Sequence, residues 1–227
     1  MVQEGSLART HGEAPGLPRG RSSLPQSAVR AAQRQRLLAA AIAAVAESGY
    51  QSVTVADMVR RAKVSRAAFY VHFADKEDCF LAATRHGGLL LVDAVVTATR
   101  GVPADAPPED LLRAGCRAFL GFLAGEPAFA RVFYIDMPAA GAGAVARRDA
   151  AQHRFAELNR EWHERARTRR PEWPEVPYDA YLGLSGATTE LVSVRVRHGR
   201  TAELSELEDT LVALHLAVMA GRAWQST

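Results

Sequence analysis

The chain has 227 residues, with 48% hydrophobic and 23% charged, which is the balance of a globular protein with room for a small domain beside a larger one. No uninterrupted apolar run reaches bilayer length, so no membrane span and no membrane partner are expected. The first thirty residues lack the apolar core of a signal peptide, which makes the cytoplasm the expected location.

The net charge of +3 is unevenly spread. Residues 1–76 carry 11 Lys/Arg against 5 Asp/Glu (11 − 5 = +6), and residues 77–227 carry 17 against 20 (17 − 20 = −3). A basic first third on a mildly acidic body is expected when one end meets a polyanion. The same bias also follows from Arg-rich usage, since every basic residue but Lys63 and Lys76 is Arg. Cys79 and Cys116 stand far apart without a CxxC pattern, so they are expected as buried thiols.

Residues 1–30, rich in Gly, Pro, Ser and Arg, are expected to be disordered. From Ala31 the pattern turns helical: Leu37, Leu38, Ala41, Ile42 and Val45 share a face, and Gly49 in "ESGY" is the expected C-terminal cap. A second helix starts at Thr54, which forms a T-x-x-D capping box with Asp57, while Val53 and Met58 are spaced as a hydrophobic staple. It is short, giving way at "AKV" to a third helix capped by Ser65 and stapled by Val64 and Phe69. Asp75 caps a longer fourth helix, with Glu77 and Asp78 in its first turn. Beyond it, helical runs alternate with breaks at "GVPADAPPED", "GEP", "MPAAGAGA", "RRPEWPEVP" and "HGRTAEL". No segment alternates with period two, so the expected fold is all-α.

Two short capped helices joined by about four residues, the second bearing cations, match a helix-turn-helix. With Phe69 and Phe73 turned inward, Arg66, Ala67, Tyr70 and Val71 face outward. Arg66 is then placed for a bidentate contact to guanine, and Ala67 and Val71 for thymine methyl groups. Thr54, Ser65, Tyr70, His72 and Lys76 are of the types that hold phosphates. Arg66 and Lys76 oppose the dipole at two helix starts, a conflict that a bound phosphate relieves. The bland alternative makes Tyr70 and His72 core residues and Lys76 a solvated charge.

The segment "QRQRLLAAAIAAVAESGYQSVTVADMVRRAKVSRAAFYVHFADKEDCF" resembles the N-terminal DNA-binding domain of the TetR (tetracycline-repressor-like) family of bacterial regulators. The resemblance rests on the Ala-rich first helix ending "ESGY", on "VTVADMVRRAKVS", and on Tyr70, Phe73 and Lys76 at the family's spacing. Lys63 departs from it, since the family usually has Gly in that turn. More loosely, "ARVFYIDMPAAGAGAVARRDA" and "LVSVRVRHGRTAELSELEDTLVALHLAV" look like pieces of the family's C-terminal half. After the disordered Arg-rich extension read from composition (1–30), the resemblance implies a three-helix DNA-binding domain (31–76) and a larger helical ligand-binding and dimerisation domain (77–227).

In the family the last two long helices pair with their copies in a four-helix bundle. Here they are expected at about 178–198 and 204–221. Leu204, Leu207, Leu211, Leu214 and Val218 form a stripe on the latter, and Leu182, Gly186 and Thr189 a small-residue seam on the former, with packing only inside the subunit as the competing role of the stripe. The resemblance also implies an effector pocket, for which Phe119, Phe122, Phe129, Phe133, Met137 and Trp162 are the candidate apolar lining. For each of these, plain core packing is the competing role. Gly87 and Gly88 in the fourth helix either permit bending or let a neighbour pack closely.

Two motifs lead elsewhere. Gly141, Gly143 and Ala146 match G-x-G-x-x-A, but no strand precedes them. His153, Glu157, Glu161 and His163 contain neither HExxH nor ExxH, and no nucleophile–base set is evident. No metal, cofactor or catalytic site is therefore expected. The combined reading is a homodimeric, ligand-responsive repressor that binds a palindromic double-stranded operator and is released by a small hydrophobic effector. Two other readings stay open here: a DNA-binding protein without ligand control, constitutive or architectural, and an enzyme using the helical C-terminal half. An Arg-rich tail with Arg9, Arg19, Arg21 and Arg30 either reaches the minor groove or is a plain extension.

Overall fold

The computed structural model describes residues 5–9 and 25–221, and among these the regular structure is entirely helical. Helix α1 spans Gln26–Ser48, so it starts earlier than the expected Ala31. Pro25 stands just before it, where a missing N–H costs nothing, and its carbonyl accepts from the Ala28 and Val29 amides. Gly5–Arg9 also forms an ordered turn. Both findings reach into the segment expected to be disordered; the rest of that expectation, with Arg19 and Arg21, lies outside the described residues. α1 buries Leu37, Leu38, Ala41, Ile42 and Val45 and stops at Gly49 (φ 75°), whose N–H bonds to the Val45 carbonyl at 2.8 Å.

α2 (Val55–Ala62), α3 (Arg66–His72) and α4 (Lys76–Arg100) follow. Next come α5 (Pro108–Gly125) and the short α6 (Pro127–Arg131), which continues through a π-helical turn (Val132–Asp136) and a 3-10 turn (Met137–Ala140). α7 (Ala142–Arg169) and α8 (Tyr178–Arg197) lead to a 3-10 segment (Thr201–Leu207) and α9 (Glu208–Met219). The breaks fall on the expected Gly/Pro-rich stretches. The final helix is shorter than expected, because the 201–207 stretch winds as 3-10 rather than α.

The chain divides into two compact units: residues up to Gly87 together with Glu126–Val145, and Gly88–Gly125 together with Ala146 onward. This division differs from the expected boundary after Lys76. The start of α4 buries Cys79, Phe80, Ala83 and Thr84, and the 126–145 segment packs on α1. In the first unit α1, α2 and α3 pack on one another around Phe69, Met58, Leu37 and Ile42. Where α4 meets α6, a Cβ on Gly87 would fall 2.2 Å from the Phe129 ring, so close packing is what this glycine permits.

In the second unit α5 packs on the 3-10 segment and α9, and α8 packs on both. Leu112, Cys116, Phe119, Leu120 and Leu123 are the buried side of α5. Polar ties finish the corners. The Trp162 indole donates to the Pro108 carbonyl at 3.2 Å, and the Arg169 guanidinium donates to the carbonyls of Ala104, Asp105 and Ala106. Arg113 and Arg117 pair with Glu208 in the first turn of α9, where an acidic group also suits the dipole. Cys79 and Cys116 are free and buried, and burial pushes both thiols up to about 12.

α4 departs from the expectation of no spanning run. It is long and apolar enough by length and composition to cross a membrane, with a mean hydropathy of 1.4 in an 18-residue window. Arg85 and Asp93 interrupt the run without lowering its average much. A core helix of a water-soluble fold passes the same test, and α4 buries Phe80 and Leu91 fully.

Candidate nucleic-acid interface

The α2–turn–α3 segment is shaped by local chemistry at each junction. The Thr54 hydroxyl accepts from the Asp57 amide at 3.3 Å, and the Asp57 carboxylate takes the Thr54 amide at 3.0 Å and its hydroxyl at 2.6 Å. These bonds, with Arg60 added, hold the Asp57 carboxyl down to about 2. α2 ends in a Schellman arrangement, with Val64 N–H bonding the Val59 carbonyl and Lys63 N–H the Arg60 carbonyl. Lys63 takes the left-handed conformation that such an end requires (φ 52°, ψ 45°), the one non-glycine with positive φ among the described residues. The turn therefore keeps its shape with Lys in a glycine position. Ser65 then caps α3 through its hydroxyl, which accepts from the Ala68 amide at 3.1 Å.

α3 is divided sharply between two faces. Phe69 is fully buried and its ring lies 5.7 Å from that of Phe73, over which the Arg34 guanidinium sits at 5.4 Å. Arg66, Ala67, Tyr70 and Val71 are exposed, Tyr70 at 51% and Val71 at 63%. A large aromatic and a large aliphatic side chain held in water run against burial of apolar area. The Arg66 guanidinium reaches the Tyr70 hydroxyl at 3.5 Å and lies 5.9 Å from its ring centre, so the two form one polar ridge.

The other expected contact residues differ in their freedom. Thr54 and Ser65 are exposed at the starts of α2 and α3, each using its hydroxyl as a cap. His72 turns inward: its Nε2 is shielded and has no hydrogen-bond partner, and burial, with the charges of Arg34 and Arg30, holds its imidazole below the usual value. A shielded neutral ring is poorly suited to a phosphate. Lys76 is half-buried, its ammonium donating to the Tyr50 carbonyl at 3.0 Å and lying 4.2 Å from the Tyr50 ring centre. An ammonium carries three donors, and this carbonyl takes one.

Tyr50 was not among the expected site residues. Its sequence signal is an aromatic directly after the Gly49 cap, and its ring packs 4.8 Å from Phe80. Asp75 caps α4 as expected, accepting from the Asp78 amide at 2.8 Å, while the Asp78 carboxylate accepts from the Ala74 amide at 3.0 Å. Ion pairs of Arg60 with Asp57 and of Arg61 with Glu47 occupy the cations of α2. The exposed cation on α3 is therefore Arg66.

The candidate effector residues divide between the two units. Phe129, Phe133 and Met137 lie in the first unit, the two rings 5.6 Å apart, whereas Phe119, Phe122 and Trp162 lie in the second. The break at Pro127 sends the 126–145 segment to the first unit. Phe119 instead packs against Phe155 at 5.4 Å, and Trp162 against Trp173 at 5.7 Å.

The expected dimer stripe needs a correction as well. Leu204, Leu207 and Leu211 are 0–2% exposed within the single chain and face its own core. The 3-10 winding of 201–207 stacks Leu204 over Leu207, on the segment that packs on α5. Leu182, Gly186, Thr189, Leu214 and Val218 keep part of their surface in water. In the motifs that led elsewhere, Gly141 caps a turn (φ 96°) and Gly143 and Ala146 lie in α7. His153 pairs with the Tyr178 hydroxyl at 3.0 Å and His163 with that of Tyr181 at 2.8 Å.

Residues 37–83 match the family model described as bacterial regulatory proteins, tetR family. No curated protein matches the chain in sequence. Among solved structures, the fatty acid degradation regulator FadR from Bacillus halodurans superposes with a TM-score of 0.73 at 18% identity, covering 85% of this chain and 97% of its own. FadR from Bacillus subtilis, solved in complex with stearoyl-CoA, gives 0.70 at 16% identity, with 81% and 96% covered. A TetR-like transcriptional regulator from Rhodococcus sp. RHA1 gives 0.64 at 26% identity, with 88% and 100% covered. The first two likenesses establish the fold, and residues 37–83 carry the family signature through the same helices whose caps and outward ridge are described above. Residues 37–83 thus carry the sequence signature of the tetR family of bacterial regulatory proteins, on a fold that the chain shares with a TetR-like transcriptional regulator.

Proposed function

We propose that the protein is a homodimeric repressor that acts in the cytoplasm, binds a palindromic operator through α3, and releases it when a hydrophobic effector binds. The observation that carries this reading is the outward ridge of α3, where Arg66, Tyr70 and Val71 stand in water with no core role. Arg66 reads guanine, Ala67 and Val71 meet thymine methyls, and Thr54, Ser65, Tyr70 and Lys76 position the phosphates. His72 supports the site from within, because its ring nitrogen is shielded. In the dimer, the half-exposed face of α8 and α9 (Leu182, Gly186, Thr189, Leu214, Val218) meets its copy, and two α3 helices about 34–36 Å apart match successive major grooves.

The effector is proposed to be a long-chain acyl compound, on the strength of the fold shared with a regulator solved with stearoyl-CoA. Phe119, Phe122 and Trp162 in the second unit are its proposed apolar contacts. A coupling of about 1–3 kcal/mol between effector and operator is enough to lower occupancy usefully. The test selects bound genomic fragments with the wild type, then measures the affinity of Arg66→Ala, Tyr70→Ala and Lys76→Ala for the selected site. Unchanged affinity in all three variants removes the α3 assignment. Adding stearoyl-CoA to the preformed complex tests the effector, and retention of operator at saturating ligand rejects that part alone.

A further inference from the structure

The turn formed by Gly5–Arg9 is anchored on a carboxylate far away in sequence. The Ser6 amide donates to Glu126 Oε1 at 2.8 Å, the Ser6 hydroxyl to the same oxygen at 2.5 Å, and the Leu7 amide to Oε2 at 2.9 Å. Both carboxylate oxygens are thus used by three donors from two successive residues. Bonds to an ionised acceptor are the stronger kind, and here the acceptor is itself only 8% exposed. Leu7 and Ala8 are buried with it, Ala8 to 1%. The turn closes through Ala8 N–H to the Gly5 carbonyl and Arg9 N–H to the Ser6 carbonyl.

Glu126 is the residue before α6, yet its side chain does not cap that helix; it is given over to the N-terminal turn. Its carbonyl accepts from the Ala130 amide, so the anchor is continuous with the backbone of α6. One turn on, Phe129 fills the notch at Gly87 of α4. A line of contacts therefore runs from residues 6–8, through Glu126 and α6, to a place on α4 where a single methyl group would not fit.

We propose that residues 5–8 are a latch: an intramolecular peptide ligand whose docking on Glu126 fixes the start of α6 and, through Phe129, its seat on α4. The latch makes residues 5–8 a structural element of the first unit, independent of any contact they make with DNA. A buried carboxylate left without hydrogen-bond donors is costly, so the three donors of residues 6 and 7 answer a need of the first unit itself.

The direct test is amide hydrogen exchange on the full wild-type chain. The Ser6 and Leu7 amides are expected to exchange about 100-fold more slowly than in the free peptide MVQEGSLAR. Exchange at the free-peptide rate overturns the latch, and needs no variant to fold. The second test compares Δ1–8, Glu126→Ala and their combination. Each single change is expected to lower Tm by about 4–8 °C, and the combination by no more than the larger of the two. Adding MVQEGSLAR in trans is expected to restore part of the loss in Δ1–8 and none in the combination. Full additivity of the two changes, or rescue that persists without Glu126, overturns the assignment of Glu126 as the anchor. Ser6→Asp, which sets a carboxylate against a carboxylate, is expected to behave like the deletion, whereas Ser6→Ala keeps both amide donors and loses less.

Discussion

The helix-turn-helix and the second unit are built from the same element and specified in opposite ways. In the first, α2, α3 and α4 each begin at a side chain that satisfies their free amides: Thr54 with Asp57, Ser65, and Asp75. In the second, α8 begins after Pro177 and α9 after Leu207, neither with a side-chain cap, and α9 is entered through a 3-10 segment. A helix of seven or eight residues is too short to persist by propensity and needs its ends secured. Longer helices packed on several sides can leave their ends to the neighbours. The surface that must present a rigid ridge to another molecule is thus the one fixed by local chemistry.

That contrast can be attacked at several places. The largest effect is expected in the second unit, where packing carries the fold: Leu211→Ala should cost about 2–5 kcal/mol in urea unfolding. Leu214→Ala, on the half-exposed side of the same helix, should cost far less and instead weaken self-association measured by sedimentation. Equal losses at the two sites would contradict the division of the leucine stripe. Next comes the α3 ridge. Arg66→Ala should weaken operator binding by about 1–3 kcal/mol while leaving Tm within about 2 °C, because the side chain is exposed. A large fall in Tm would show that the ridge belongs to the core.

Thr54→Ala removes one half of the capping box and should cost about 0.5–2 kcal/mol, read by thermal unfolding. If it costs nothing, the account of α2 as a locally secured helix fails. Lys63→Gly should stabilise by up to about 1 kcal/mol, since Lys carries a steric cost at φ 52° that Gly does not. The last effect is graded. His163 and His215 are buried, and burial is the main reason both imidazoles sit below their usual 6.5. Above that value both folded and unfolded chains hold them neutral and stability is full. As pH falls below it the unfolded chain takes up protons that the fold refuses, so the urea midpoint should drop from about pH 7.5 to about pH 5.5, and His215→Leu should flatten part of that slope.

Much of the first unit was legible in the sequence because its signals are local. Thr54 and Asp57 are three apart, Phe69 and Phe73 four apart, and each pair meets within one turn. His72 and Lys76 show the limit of that legibility. Their types suit a phosphate, but whether the ring nitrogen faces water, and whether the ammonium already has a partner in Tyr50, depends on packing from other helices. The six aromatic and Met candidates for an effector pocket show it more strongly. Apolar residues look alike whether they line a cavity or fill a core, and the Pro127 break divides these between two units.

The sequence by itself determined the helical class, the helix breaks, the capped turn and the outward face of α3, because caps, glycines and a 3.6-residue stripe act over a few residues. Tertiary structure alone decided that Leu204, Leu207 and Leu211 belong inside the subunit, that 126–145 joins the DNA-binding unit, and that Glu126 receives the N-terminus. Each of these turns on a partner many positions away, and burial and hydrogen bonding depend on distance in space, which spacing along the chain does not report.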